Sequence, residues 1–118
     1  MFRLLRFSLV AALFTFGLIL AHAQREGYAG GCSNAYPGSN GITITNNCNF
    51  TIHYYIIPYN DPYKHYNNYL QPGESTNMGY DLVRGQFEYY ACDSRYYVVG
   101  PDGRVITHLV NSYSCSLK

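Results

Sequence analysis

Gly41-Ile42-Thr43-Ile44-Thr45-Asn46-Asn47-Cys48-Asn49-Phe50-Thr51-Ile52-His53-Tyr54-Tyr55-Ile56-Ile57-Pro58 decides the fold of this chain. Ile42 to Thr45 alternate apolar and polar, the period of a half-buried strand. Asn46-Asn47 break the run. Phe50, Ile52, Tyr54 and Ile56 then share one face, and Thr51, His53, Tyr55 and Ile57 the other. β-Branched and aromatic residues favour a pleated strand, and Pro58 ends it.

The same pattern continues downstream. Leu70-Gln71-Pro72-Gly73-Glu74-Ser75 carries Pro-Gly at its centre, which predicts a type II turn with short strands on either side. Val83 to Gly85 read as a bend, Gln86 to Cys92 as a strand and Tyr96 to Val99 as another. Gly100-Pro101-Asp102-Gly103 turns the chain back into a strand over Arg104 to Val110. Ser112 to Leu117 extends or adds a last strand. No mature segment holds a helical period over ten residues. Short strands every eight to twelve residues predict an all-β domain, a small antiparallel sandwich or barrel, over residues 41–118.

Upstream, residues 24–40 read as a flexible Gly/Ser-rich lead-in anchored by Cys32. Residues 1–23 have the layout of a signal peptide: Arg3 and Arg6, an apolar run from Phe7 to Leu20, then Ala21-His22-Ala23 as the cleavage site. Retention of that run as an anchor is the alternative, and the only route by which a membrane enters the reading. The expected localisation is secreted, extracellular or periplasmic.

The chain has 118 residues, with 8 Lys+Arg against 7 Asp+Glu. Two of the basic residues lie in the leader, so the mature chain is close to neutral and carries no run of like charge. That disfavours nucleic acid as a partner. Four cysteines, all after the leader, allow two disulfides and three connectivities. Their spacing contains no C-x-x-C, which disfavours redox and zinc chemistry.

Ile42 to Ile52, with Asn46-Asn47-Cys48 at its centre, resembles the opening strands of thaumatin-like proteins. Leu70-Gln71-Pro72-Gly73-Glu74-Ser75 is similar to a turn of that family. The resemblance covers under a third of the mature chain. It implies a secreted β-sandwich and, carried onto these cysteines, the pairs Cys48–Cys115 and Cys32–Cys92. The family's acidic cleft residues have no counterpart here. Ala91-Cys92 and Tyr113-Ser114-Cys115 resemble a looser set of small secreted bacterial proteins.

Catalytic patterns are absent from the sequence: no nucleophile elbow, no adjacent carboxylate pair, no His-x-His. His53 and His108 read as solvent-face histidines of strands, and Asp61 and Asp102 as turn residues. The expectation is therefore a non-enzymatic protein without cofactor or metal ligands. Tyrosine is the anomaly. The chain has 14 tyrosines, all beyond residue 23, and no tryptophan. One of each pair Tyr54/Tyr55, Tyr89/Tyr90 and Tyr96/Tyr97 is expected in the core, since strand neighbours face opposite ways.

The stretch from Tyr59 to Leu70 reads as an irregular loop or a short helical turn. In it Tyr59, Tyr63, His65, Tyr66, Asn67 and Tyr69 have the chemistry of a paratope: rigid amphipathic rings for contact area, imidazole and amide for adaptable hydrogen bonds. The expected partner is an extracellular protein or glycan. A self-associating structural subunit, and a secreted defence protein or enzyme inhibitor, are the alternatives. Asn49-Phe50-Thr51 is a glycosylation sequon at Asn49, meaningful in a eukaryotic host.

Overall fold

A computed structural model describes residues 26–79, 83 and 85–118. The leader therefore lies outside the described residues. Within them the chain is all-β with no helix, and its eight strands form three antiparallel sheets. The strands are β1 (Ser33–Gly38), β2 (Gly41–Asn46), β3 (Ile52–Pro58), β4 (Tyr66–Leu70), β5 (Ser75–Met78), β6 (Phe87–Asp93), β7 (Tyr96–Val99) and β8 (Ser114–Leu117). Their orders are β1-β2-β5, β4-β3-β6 and β7-β8. The eight strands are thus divided among three small antiparallel sheets.

The middle sheet is covered on both sides. Ile52, Tyr54 and Ile56 of β3 pack with Ile42 and Ile44 of β2, with Leu70 and with Ala91. Tyr55 and Ile57, the opposite face of the same strand, pack with Tyr90, Cys92, Tyr96, Val98 and Ile106. Tyr54 and Tyr55 are thus both buried, not one of the two. Ile52, Ile56 and Ile57 are fully buried. At roughly 1.5–3 kcal/mol per fully buried aliphatic side chain, β3 is the main apolar investment of the domain.

The Pro-Gly turn forms as expected. The Glu74 N–H donates to the Gln71 carbonyl at 3.0 Å, and Gly73 has φ +81°. Gly41 opens β2 at φ +120°, and a Cβ there would sit 2.0 Å from the Met78 carbonyl oxygen. Only glycine lets β2 and β5 meet at that point.

Other expectations need correction. The lead-in is not structureless. Ala29 N–H donates to the Ala91 carbonyl, and Asp93 N–H to the Gly27 carbonyl, so residues 27–29 line the free edge of β6. Ser33–Gly38 then crosses to pair with β2 along its whole length. Backbone hydrogen bonds carry this segment, and they have no side-chain period to read. The strand expected over Arg104 to Val110 shrinks to one bridge, Val99↔Val105. Beyond it the Leu109 N–H leaves for the Pro62 carbonyl, 2.7 Å away.

The disulfides join Cys32 to Cys48 and Cys92 to Cys115. The pairing implied by the thaumatin-like resemblance, Cys48–Cys115 with Cys32–Cys92, is overturned. Cys32 and Cys48 belong to the core on one side of the middle sheet, Cys92 and Cys115 to the core on the other. A bridge between the two sets would have to pass through the sheet. In addition, the Asn47 N–H donates to the Cys32 carbonyl, which sets Cys32 beside the β2–β3 turn that carries Cys48.

Asn46 does not simply break a strand. It is fully buried. Its amide nitrogen donates to the Phe50 carbonyl at 3.0 Å and the Leu70 carbonyl at 2.9 Å, and its oxygen accepts from the Cys48 N–H at 2.9 Å. One side chain thereby joins the end of β2, the approach to β3 and the end of β4.

Two outcomes are expected. A non-reducing digest yields Cys32–Cys48 and Cys92–Cys115 peptides, and replacing both Cys32 and Cys48 by serine lowers stability by about 3 kcal/mol in urea titration. Asn46→Ala costs about 3 kcal/mol, because it leaves two carbonyls and one N–H unpaired in the interior. Asn46→Asp costs more, since a carboxylate would face two carbonyl oxygens.

Candidate functional site

Pairing of β4 with β3 sorts the tyrosine-rich segment onto two faces. Opposite residues share a face, so His53 lies with Tyr69 and Tyr55 with Asn67. Ile56 lies with Tyr66, Tyr54 with Asn68 and Ile52 with Leu70 on the reverse. Tyr66 is accordingly half-buried against the first core, with the Lys64 ammonium 5.7 Å from its ring centroid. Tyr66 and Tyr69 cannot act on one surface, because three residues along a strand is an odd step.

On the other face the rings form a row. Tyr69 stacks on the His53 imidazole with centroids 4.3 Å apart and planes 18° apart. His53 in turn lies 4.8 Å from Tyr55, and Tyr55 5.9 Å from His65. Asn67 ties the two imidazoles together. Its Oδ1 is 3.0 Å from His53 Nε2 and its Nδ2 is 3.3 Å from His65 Nδ1. Past the end of β8, the Lys118 ammonium sits 5.8 Å from the Tyr69 ring and 5.3 Å from the Tyr97 ring. Those two tyrosines are 50% and 47% exposed, so the row presents open ring surface at one end.

Burial holds the His53 imidazole below the usual histidine range, and the nearby Lys118 charge acts in the same sense, while the Asn67 hydrogen bond pulls back. Desolvation therefore holds His53 toward its neutral form. Burial pushes the Tyr55 hydroxyl up, with Tyr69 adding to it.

The remaining candidates stand apart. Tyr59 is exposed at the far end of β3, where its hydroxyl donates to the Glu88 carboxylate; that bond first, and burial second, push the phenol upward. Tyr63 is 82% exposed at a loop tip, 6.3 Å from His108. A hollow of about 290 Å³ opens beside His108, between Asp102, Arg104 and Thr107. Asn49 is exposed in the β2–β3 turn. Among the described residues no three His, Cys, Asp or Glu side chains converge as a metal site would require.

The structure thus brings together His65, Asn67 and Tyr69 of the six residues singled out from the sequence, and separates Tyr59, Tyr63 and Tyr66 from them. It adds His53, Tyr55, Tyr97 and Lys118. The signal for His53 and Tyr55 was present, since they form the polar-aromatic face of β3. What was missing was a partner strand in the segment after Tyr59. Tyr97 and Lys118 come from sequence-distant strands and carry no local signal.

The lowered His53 pKa fixes a sign. Below pH 6.5 the unfolded chain takes up a proton at residue 53 that the folded chain refuses, so stability falls as pH drops from the ordinary histidine value toward the folded one. His53→Phe, which keeps a ring against Tyr69, is expected to flatten that part of the urea-midpoint profile. No family model matches this chain, and neither a curated protein nor a solved structure does.

Proposed function

We propose that this is a secreted, non-enzymatic binding module that engages an extracellular protein or glycan through the β4 ring row, His53–Tyr69–Tyr97 with Asn67, His65 and Lys118. The observation that carries the reading is the exposure of Tyr69 and Tyr97 on a scaffold that buries or half-buries most of its other tyrosines. A buried strand and two disulfides hold the row from behind. Rings fixed in advance lose little entropy when a ligand covers them. Two disulfides fit the oxidising compartment that secretion implies.

The self-associating subunit is the second reading, and two details weigh against it. β4 is an edge strand, but its outward Tyr69 N–H is taken by the Asn68 side chain at 2.8 Å. β1, the edge of another sheet, carries Pro37, which removes a donor. Both features blunt strand addition by a second copy.

The test strips the rings without touching the core. Tyr69→Ala combined with Tyr97→Ala is expected to keep the chain folded in urea titration, at a cost of about 1–2 kcal/mol for the lost His53 stacking and Lys118 contacts. It is expected to weaken capture of the best ligand from an array of glycans and extracellular proteins by roughly 30-fold, about 2 kcal/mol, the loss typical of a hot spot. Retained capture in the double variant rejects the row as the site. Concentration-dependent sedimentation of the wild-type chain favours the assembly reading instead.

A further inference from the structure

The Asn67 amide lies between two imidazoles, and its hydrogen-bonding capacity counts their protons. An amide offers an acceptor at one end and a donor at the other. In the orientation seen, Oδ1 faces His53 Nε2 and Nδ2 faces His65 Nδ1. With both rings neutral, His53 donates and His65 accepts. Protonating His53 at its other nitrogen leaves both bonds in place. Protonating His65 instead is accommodated by turning the amide over, so that Oδ1 accepts from His65 and Nδ2 donates to a neutral His53. In neither orientation can the amide receive two imidazolium rings, because one of them would point N–H against N–H.

We propose that the His53–Asn67–His65 bridge is a proton-counting latch on β4, closed with at most one imidazolium and opened by the second. β4 is an edge strand, held by backbone pairing to β3 alone, so a side-chain tie across this face matters to it. Opening frees His53 from Asn67 and places two new charges in the ring row. Among the described residues, the charged or titratable groups beside the bridge work in the same direction or are silent. β3 contributes Tyr55, β4 contributes Tyr69, and both are phenols, neutral in acid. β6 contributes Cys92 opposite His53, which is held in a disulfide, and Tyr90 opposite Tyr55, a phenol that burial pushes upward. The end of β8 contributes Lys118, whose ammonium opposes a further positive charge and sits near Tyr97 of β7. Burial holds the His53 imidazole below the usual histidine range, so the second proton is disfavoured at pH 7 and the latch is closed there; acidification opens it. Its consequence for ligand capture rests on the reading of this row as the binding face: a ligand taken at neutral pH is released on acidification.

The test reads β4 directly and needs no ligand. Amide hydrogen exchange of the disulfide-intact chain is followed from pH 7 to pH 5, with correction for intrinsic rates, in wild type, His65→Phe and His53→Phe. In wild type the β4 amides are expected to lose protection about fivefold or more relative to β2, the equivalent of one lost interaction. Each variant keeps a ring but leaves only one imidazole, so β4 protection relative to β2 is expected to hold over the same range, any global loss from His53 protonation being shared by both strands. Unchanged β4 protection in wild type overturns the latch. So does equal loss in the single-histidine variants, since one imidazolium would then suffice. Either variant decides the matter if the other does not fold. A latch that opens in a protein that captures nothing on an array overturns the binding reading and leaves the latch standing.

Discussion

Everything in this domain follows from a strand buried on both faces. Ile52, Tyr54 and Ile56 of β3 require a cover on one side, and Tyr55 and Ile57 on the other. A two-layer sandwich supplies one cover only. The chain meets the second demand with the β7-β8 pair and the segment carrying Ile106, Leu109 and Val110. Small domains bury a modest share of their surface, and three thin layers spread that share over two separate cores. Each core then has its own disulfide, Cys32–Cys48 or Cys92–Cys115. Loop closure restrains the unfolded chain most where a peripheral layer is least able to hold itself.

Joining layers creates a polar problem, because strands must leave one sheet for the next and their backbone groups still need partners. Asn46 answers it at the turn between β2 and β3, with three hydrogen bonds from one fully buried side chain. Asp93 answers it after β6. Its carboxylate accepts the Arg95 N–H at 3.0 Å and the guanidinium at 2.6 Å, and the Arg95 bond holds it below the usual carboxylate range. Among the described residues no buried side-chain nitrogen or oxygen is left without a partner. Asn46 closes its joint both locally and across the 24 residues to Leu70, while Asp93 closes its own within one turn.

This explains what the sequence made legible. Period-two patterning identifies β2, β3, β6 and β7, because each spends side chains on a core. The Pro72-Gly73 turn is readable because its dihedrals demand those two residues. β1 and the residues before it spend only small side chains on a core, Ala29, Cys32 and Ala35, so glycine and serine there resemble a linker even where the backbone is paired. β4 fails for a related reason. Its exposed side chains are polar or aromatic on both faces, and only Leu70 and the half-buried Tyr66 mark the inward side. Spacing of Tyr63, Tyr66 and Tyr69 by threes suggests a helical turn, while pairing with β3 overrides it. Reading β4 as a loop left the paratope-like residues without a register, and a register is what selects His65, Asn67 and Tyr69 from their neighbours. Disulfide connectivity was unreadable for another reason: which side of the middle sheet a cysteine occupies is a fact of layering.

The tyrosine excess divides along the same lines. A core two side chains thick lies close to the surface everywhere, and a residue is needed that fills it while carrying its polar end outward or to a partner. Tyr90 donates from one core to the Val110 carbonyl at 2.5 Å, Tyr113 donates to the Ala91 carbonyl at 3.3 Å, and Tyr89 meets Ser33 at 2.6 Å. Burial raises the phenol of Tyr89 to about 12 and that of Tyr113 further still, so these hydroxyls act as fixed neutral donors and not as reactive groups. Phenylalanine would fill the same space without these hydrogen bonds, and at residue 90 it would take away the donor to the Val110 carbonyl. Much of the composition is thus a consequence of thin layers and needs no ligand to explain it. The tyrosines outside that account are the exposed ones. Tyr36, Tyr59 and Tyr63 lie apart from the ring row, on β1, at the end of β3 and on a loop. Tyr69 and Tyr97 come from different sheets and meet across one ammonium, and no demand of the core places them there.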